Sequence, residues 1–385
     1  MKRWTIDRRA MVTVGLAALL GACSVIPKGA DRAGPVVTTP TPEPTQSLPS
    51  DETRHRIALL VPMSGTNGAV GQSIANATTM ALLDTNASNL RITSYDTAKG
   101  PEGAARQAIA EGNKLILGPL LGSNIPSITA TARAADVPVI SFSNDTGAAG
   151  PDVLIMGHIP EQSIMRTVQY ARSRGSQNFA IIAPDGEYGA RAEEAARRAV
   201  AAYGGTMVWT ERYARGNTSI VSAAERLKAH GGYDTVLIAD GARLAAQAAG
   251  VLKPRAGGTP QLLGTELWSG EGSVTRASAL RGALFSAVSD NRYKRFVDSY
   301  EARFGSQPYR IATLGYDAVL LTLRVARDWR VGRDFPDRAL RSEDGFLGLD
   351  GAFRFGPNGL VERAFEVREV RDGAVVVVEN APARF

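Results

Sequence analysis

The sequence predicts an α/β protein made of two doubly wound lobes, followed by a C-terminal antiparallel hairpin segment. Short continuous apolar runs, such as residues 57–61, alternate with stretches whose apolar residues recur at helical spacing. This alternation is typical of a parallel sheet that is covered by helices on both faces. The chain has too many such strand–helix units for one small sheet. Near the end, the turn pairs Asp350-Gly351, Asn358-Gly359 and Asp372-Gly373 separate β-rich runs and predict hairpins.

The predicted strands fall into two groups along the chain. The first group comprises residues 57–61, 91–95, 115–117 and 137–140, and the second comprises 179–183, 206–210, 235–239 and 261–264. Helical stretches separate the strands, such as the one that carries Ile74, Ala77 and Ala81. Two groups of strands, each with its own helices, indicate two lobes.

Residues 1–22 predict a lipoprotein signal peptide. Four basic residues form its start, residues 10–20 form an apolar run, and Cys23, the only cysteine of the chain, follows Leu-Gly-Ala. The pattern resembles the lipobox of bacterial lipoproteins, in which the chain is cleaved before the cysteine and its thiol takes a diacylglycerol group. The apolar run is shorter than the roughly 20 residues that span a bilayer. We therefore expect attachment to the membrane through lipid at Cys23.

Residues 23–54 predict a disordered tether rich in proline and threonine. Prolines alternate with small polar residues between positions 38 and 45, and the segment has almost nothing to bury. At roughly 3.1 Å per residue, such a segment is long enough to let the folded part stand many tens of ångströms from the membrane.

Composition argues for a globular protein that acts by binding. The 385 residues are 44% hydrophobic, enough for a packed core, and carry a formal net charge of +6 without a block of five basic residues. This charge pattern argues against nucleic acid as a partner. The three histidines lack metal-ligand spacing, and neither a phosphate-binding glycine loop nor a nucleophile–base order is recognisable. The sequence therefore predicts a non-enzymatic protein with no metal and no cofactor.

Several segments occur in a recognisable order: 57–65, 118–123, 137–141, 185–189, 315–318 and 345–351. In that order residues 54–385 resemble the leucine-binding type of periplasmic binding protein, the type I fold. The resemblance implies lobes of residues 55–158 plus about 289–340 and 159–288 plus about 341–385. Three crossings, near 157–159, near 288–290 and before 345, would join them. Ligands would bind between the lobes, where loops leave the carboxyl ends of strands.

Three segments, 94–97, 115–120 and 140–144, are more similar to the penicillin-binding protein activators of this family. Those activators are outer-membrane lipoproteins that stimulate peptidoglycan synthases by direct contact. The resemblance implies a synthase as partner and the periplasm as location, with Ser24 compatible with anchoring in the outer membrane. The alternative is an amino-acid or small-solute-binding receptor of an ABC transporter, whose partners are a small amino-acid-like ligand and a permease.

The resemblance also implies cleft residues for a zwitterionic ligand. First-lobe hydroxyls and amides would hold the ligand carboxylate, an acid of the second lobe would hold the ammonium, and a tyrosine follows the second lobe's first strand. The matching positions are Ser64, Ser123, Ser141, Ser143, Tyr188 and Glu266. Asp240 stands where the family often has an aromatic residue over the ligand. Serines at strand-to-helix junctions also serve as helix caps, so a purely structural role for the four serines stays open.

Overall fold

The structure, a computed structural model, describes residues 53–216, 219–253 and 258–382. The predicted signal peptide 1–22, the lipidation site Cys23 and all but the last two residues of the predicted tether lie outside the described residues. Within the three described ranges, no helix is long and apolar enough to cross a membrane.

Strands and helices alternate through most of the described chain. The strands are β1 (His55–Val61), β2 (Leu90–Asp96), β3 (Ile116–Leu117), β4 (Val139–Ser141), β5 (Val153–Ile155), β6 (Asn178–Pro184), β7 (Thr206–Tyr213), β8 (Thr235–Ile238), β9 (Gln261–Leu263), β10 (Leu284–Ala287), β11 (Phe346–Gly348), β12 (Gly351–Phe355), β13 (Val361–Arg363), β14 (Glu366–Arg371) and β15 (Ala374–Glu379). The helices are α1 (Gly68–Asp84), α2 (Pro101–Ala110), α3 (Ile125–Arg133), α4 (Pro160–Ser173), α5 (Glu187–Ala202), α6 (Ser219–His230), α7 (Ala242–Leu252), α8 (Ser273–Arg276), α9 (Tyr293–Phe304) and α10 (Thr313–Ala326).

The first lobe is built on a five-stranded parallel sheet with the order β2-β1-β3-β4-β5. Side chains of β1 alternate between two buried clusters. Ile57 and Leu59 pack with residues of α1 and α10, whereas Ala58 and Leu60 pack with residues of α2 and α3. Both faces of the strand are therefore dry, which is why its sequence is a continuous apolar run.

The second lobe is built on a seven-stranded sheet with the order β15-β14-β10-β9-β8-β6-β7. The strands β6 to β10 run parallel, and β14 and β15 extend the sheet in antiparallel fashion beyond β10. Ala180 and Ile182 of β6 pack with α6 and α7, and Phe179 and Ile181 pack with α4 and α5. The two sheets, each covered on both faces, confirm the predicted pair of doubly wound α/β lobes.

The predicted C-terminal antiparallel segment is confirmed as well. The three turn pairs join β11 to β12, β12 to β13 and β14 to β15, each time in antiparallel pairing. Gly351 and Gly359 adopt φ of 87° and 80°, the left-handed region that glycine adopts without strain.

The C-terminal strands divide between the lobes, which differs from the predicted boundary. Phe353 and Val361 are buried in the same cluster as Ile57, so residues 346–363 pack with the first lobe. The predicted boundary places everything after about residue 341 in the second lobe. Only β14 and β15 join the second sheet. The chain therefore crosses after Arg363, because the apolar side chains of β12 and β13 complete the core of the first lobe.

Candidate ligand-binding cleft

The predicted site residues follow the carboxyl ends of parallel strands in both lobes. Such loops collect helix N-termini and backbone amides in open α/β sheets, and ligands bind there. The loops of the two lobes lie close together, since the charge of Asp145, after β4, acts on Arg191 of α5. Gly270, after β9, lies beside Arg310, with 3.6 Å between an ideal Cβ on the glycine and the arginine Cδ.

Ser64 lies in the exposed loop after β1 and is tied to the end of β2. Its hydroxyl donates to Asp96 Oδ2 at 2.7 Å, and the backbone N–H of Met63 donates to Asp96 Oδ1 at 2.8 Å. Burial opposes ionisation of Asp96, but these hydrogen bonds lower its pKa below the ordinary value. The proton of Ser64 is therefore directed at a carboxylate of the protein.

Ser141 and Ser143 shape the loop that follows β4. Ser141 is fully buried, and its hydroxyl donates to the Pro119 carbonyl at 2.9 Å and accepts from the Ser143 N–H at 3.1 Å. The Ser143 hydroxyl accepts from the Asp145 N–H at 3.0 Å. Ser123 is exposed in the neighbouring loop, which follows β3. It lies beside Gly122, whose ideal Cβ lies 3.1 Å from Ser143 Oγ. The structure thus brings Ser123 and Ser143 into adjacent loops, while Ser141 bonds only to loop backbone.

Tyr188 and Glu266 meet in the second lobe. The Tyr188 hydroxyl lies 2.9 Å from Thr265 Oγ1 and donates to Glu266 Oε1 at 3.3 Å. The other oxygen, Glu266 Oε2, is buried and has no hydrogen-bond partner among the described residues. Burial raises the pKa of Glu266 to about 7, and burial together with the charge of Glu266 raises the pKa of Tyr188 well above 10. A buried carboxylate oxygen without a donor is a natural site for a ligand cation.

Two ion pairs that sequence reasoning missed flank this carboxylate. Arg191 binds Glu161 through two hydrogen bonds, Nε to Oε1 at 2.8 Å and Nη2 to Oε2 at 2.9 Å. Burial opposes the charge of Arg191, but these bonds and neighbouring carboxylates raise its pKa. In the second pair, Arg215 donates to Asp240 Oδ2 at 2.8 Å, and its guanidinium lies 5.6 Å from the ring centroid of Tyr188. Asp240 therefore holds Arg215 over the ring of Tyr188. Asp240 is the position at which the resemblance implies that an aromatic residue is common.

A buried charge network occupies the crossings between the lobes. Asp350 is fully buried and accepts from Arg310 Nη1 at 2.7 Å and from Thr313 Oγ1 at 2.9 Å, and its Oδ2 lies 2.8 Å from His158 Nε2. Burial opposes ionisation of Asp350, but Arg310 and His158 hold its pKa well below the usual range. Burial lowers the pKa of His158, which favours the neutral imidazole.

The network extends to the other two crossings. Arg363, at the end of β13, donates to the Met156 carbonyl at 2.9 Å, next to the first crossing. Asp290, after β10, is bonded by Arg368 of β14. Burial and the negative charge of Asp350 raise the pKa of Asp317 to about 7, although Arg363 lies 4.0 Å away. All three crossings thus carry charged groups that are bonded to one another.

Nothing in the sequence pattern singled out this network, because its members lie up to two hundred residues apart. The sequence signals are His158 and Asp290, which fall at the predicted first and second crossings. Among the described residues, no group of three or more histidine, cysteine, aspartate or glutamate side chains could hold a metal ion.

The fold and the cleft define a bilobed binding protein, and comparison with known proteins agrees. The family model described as periplasmic binding protein matches residues 55–374. The chain therefore belongs to the periplasmic binding protein family. An ABC transporter substrate-binding protein from Sphaerobacter thermophilus superimposes with a TM-score of 0.70 and 20% identity, over 86% of this chain and 98% of that one. A branched-chain amino acid ABC transporter periplasmic ligand-binding protein from Burkholderia xenovorans superimposes with a TM-score of 0.67 and 17% identity, over 86% of this chain and 94% of that one.

Curated relatives match shorter stretches. An uncharacterized protein of Rickettsia prowazekii is 31% identical over 134 residues, which is 34% of this chain and 36% of that protein. The penicillin-binding protein activator LpoA of Glaesserella parasuis is 26% identical over 141 residues, which is 36% of this chain and 24% of that protein. The matched stretches thus span about a third and a quarter of these relatives. Together with the family match, they confirm the resemblance drawn from the sequence.

Proposed function

We propose that this protein is a non-enzymatic lipoprotein of the cell envelope that binds and activates a peptidoglycan synthase of the penicillin-binding protein class. The observation that carries the proposal is the sequence match to the activator LpoA over 141 residues. The cleft geometry is compatible with it, because Ser64 and Ser141 are already bonded to protein groups. A ligand carboxylate would have to displace those bonds and approach the carboxylate of Asp96.

The test is a synthesis assay with purified components. The full-length protein is added to each bifunctional synthase of the host, and the rates of glycan polymerisation and peptide cross-linking are measured. We expect saturable stimulation of one synthase and its recovery with the protein from detergent-solubilised envelopes. Heat-unfolded protein serves as the control for non-specific effects. Unchanged rates with every synthase, together with no recovered synthase, would contradict the proposal.

A second candidate function is the binding of a small solute with an ammonium group, as in a transporter receptor. The specific observation in its favour is Glu266 Oε2, which is buried, finds no donor in the part of the chain that the structure describes, and lies beside Tyr188. An ammonium group placed there would supply the missing hydrogen bond and hold Glu266 in its ionised form.

A thermal-shift screen of amino acids and small amines separates the two functions. At a concentration 100 times its Kd, a ligand stabilises the folded state by about 2.7 kcal/mol, which a thermal scan resolves easily. The matched variants are Glu266→Gln, which we expect to abolish the shift, and Glu187→Gln, an exposed acid in the same wall, which we expect to leave it intact. No shift with any compound leaves the activator function as the sole candidate.

The anchor is part of the same proposal. We propose that Cys23 is acylated and that residues 23–54 tether the domain, in the periplasm, to the outer membrane. Radiolabelled palmitate fed to the host should be incorporated into the wild-type chain and not into Cys23→Ser. Membrane fractionation then distinguishes the outer from the inner membrane.

A further inference from the structure

The end of the first lobe at which the described chain begins carries a cationic surface. Arg54 and Arg56 flank the first residue of β1, and Lys114 precedes β3. These three side chains line a cavity of about 340 Å³ together with Val331 and Gly332. Because β1 and β3 are adjacent parallel strands, their amino-terminal ends place these cations side by side, on the edge of the sheet opposite the cleft.

The segment that follows α10 adds a second set of cations. Arginines recur at every third position from 324 to 333, and all of them are exposed: Arg324, Arg327, Arg330 and Arg333. Two carboxylates, Asp328 and Asp334, lie among them. Asp334 pairs with Lys114 at 2.8 Å, so these two charges cancel and the arginines carry the remaining positive charge. The surface retains an excess of positive charge.

This segment is held firmly against β1. His55 stacks on Trp329 with 4.0 Å between ring centroids, and Trp329 donates from its indole nitrogen to the Arg333 carbonyl at 2.9 Å. Trp329 also packs edge-on against Phe335. The loop therefore presents Val331, which is 40% exposed, as a fixed apolar side chain between two arginines.

An apolar groove continues the same surface. A cavity of about 850 Å³ is lined by Asn89, Arg324, Arg327, Asp344 and Leu347, among others; Asp344 adds one carboxylate, and Leu347 is 60% exposed. The Asn89 carbonyl accepts from the His55 N–H at 2.8 Å, so the groove begins where β1 begins. We call the combined area the basal surface: Arg54, Arg56, Lys114, Arg324, Arg327, Arg330, Val331, Arg333 and Leu347.

We propose that the basal surface docks on the headgroups of an anionic phospholipid bilayer. Basic side chains attract such a surface over about a Debye length, and isolated apolar side chains between them insert at the headgroup boundary. The predicted membrane-attached segment enters the domain here, at Arg54, which favours a bilayer over an acidic protein as the occupant. The basic side chains outnumber the carboxylates Asp328, Asp334 and Asp344 on this surface, whereas the next cavity carries Asp136, Asp152 and Asp337 with the single cation Arg133.

The test measures how closely a probe at Val331 approaches lipid. The full chain carries Cys23→Ser and Val331→Cys, so that a bimane label has one site, and is mixed with vesicles that contain nitroxide-labelled headgroups. We expect strong quenching with phosphatidylglycerol vesicles and little with phosphatidylcholine vesicles or in high salt. A label at Glu194→Cys, an exposed position on α5 of the second lobe, should not be quenched.

Charge variants show whether the arginines cause the contact. Each cation near an anionic membrane strengthens binding about fivefold, so Arg327→Gln, Arg330→Gln and Arg333→Gln together should weaken vesicle binding about a hundredfold. The control changes the same net charge on exposed positions of the second lobe: Arg174→Gln, Arg198→Gln and Arg243→Gln. The proposal would be overturned if the label were quenched equally at both positions, or if both triple variants lost vesicle binding equally. It would also be overturned if the protein bound peptidoglycan sacculi and not vesicles.

Discussion

Replacing Asp350 by asparagine tests the charge network at the crossings. Asp350 neutralises Arg310 through a 2.7 Å hydrogen bond, and the nearest remaining carboxylate oxygen, Asp290 Oδ1, lies 3.6 Å from the Arg310 guanidinium. Arginine does not give up its proton, so the variant leaves a largely buried cation without its main partner. Breaking a buried pair on one side costs about 3–5 kcal/mol, and we expect Asp350→Asn to lose that much free energy of unfolding.

Urea unfolding at pH 7, followed by tryptophan fluorescence, measures this loss. The control is Asp334→Asn, which breaks the exposed pair with Lys114 and should cost less than about 1 kcal/mol. Arg310→Gln combined with Asp350→Asn should lose less than the sum of the two single variants, because the buried charge is then gone. A loss for Asp350→Asn as small as that of the control would refute the reasoning.

The pH dependence of the same variant has a defined sign. Because the pKa of Asp350 is depressed in the folded state, its contribution to stability is complete above the unfolded pKa of about 3.9 and declines as the pH falls below it. The difference in free energy of unfolding between wild type and Asp350→Asn should therefore be constant near neutral pH and should become smaller below about pH 4.

Three further predictions follow from the cleft and the core. Glu266→Gln should be more stable than wild type at pH 8.5 and nearly equal to it at pH 4, because the pKa of Glu266 is raised to about 7 in the folded state, so wild type loses stability as the pH rises from the unfolded pKa of about 4.3 to about 7; thermal unfolding at both pH values measures this. The affinity of an ammonium ligand, measured by calorimetry, should fall about tenfold per pH unit below pH 7, since protonated Glu266 no longer attracts it. Gly71→Ala should lower the free energy of unfolding, measured in urea, by about 3 kcal/mol or more, because its Cβ would lie 1.7 Å from the Pro62 carbonyl oxygen. Gly103→Ala, whose Cβ would meet no described atom within 4 Å, should raise it by about 0.5–1 kcal/mol.

The layered architecture could be predicted because burial leaves a local mark on the sequence. Strands such as β1 and β6 are dry on both faces over most of their length, so residues 57–61 and 179–184 are all apolar, and their helices show periodic apolar faces. Two short strands, β5 and β10, were missed: they span three and four residues and follow no helical stretch of clear periodicity. Their place in the sheets is fixed by long-range pairing that single-sequence patterns do not record.

The division of the C-terminal strands could not be predicted for a related reason. Hairpin turns are specified by local residues such as Asn358-Gly359, so their existence was visible in the sequence. Which sheet a hairpin packs against depends on the fit of Phe353 and Val361 into a core formed some three hundred residues earlier. Alternation of apolar residues indicates that one face of a strand is buried, but it does not indicate which element covers that face.

For the cleft, the sequence indicated individual positions and not their bonding. Tyr188 and Glu266, the two positions indicated in the second lobe, are joined by a hydrogen bond. The serines of the first lobe were expected to offer their hydroxyls to a ligand, and the role of Ser141 became visible only with its bond to the Pro119 carbonyl. Hydrogen-bond partners of a hydroxyl are set by loop geometry to within tenths of an ångström, and residue type alone does not encode this.

The crossing network connects the two lobes mechanically. His158 lies at the first crossing, Asp290 at the second, and Arg368 just beyond the third, and each is bonded to a group on another segment. Since hydrogen bonds weaken steeply with distance and angle, rotation of one lobe against the other must lengthen at least one of these bonds. Asp350 is fully buried, so water does not replace a partner that it loses without cost. The relative position of the lobes is therefore coupled to the charges at the crossings, and Asp350→Asn should alter that position as well as the free energy of unfolding.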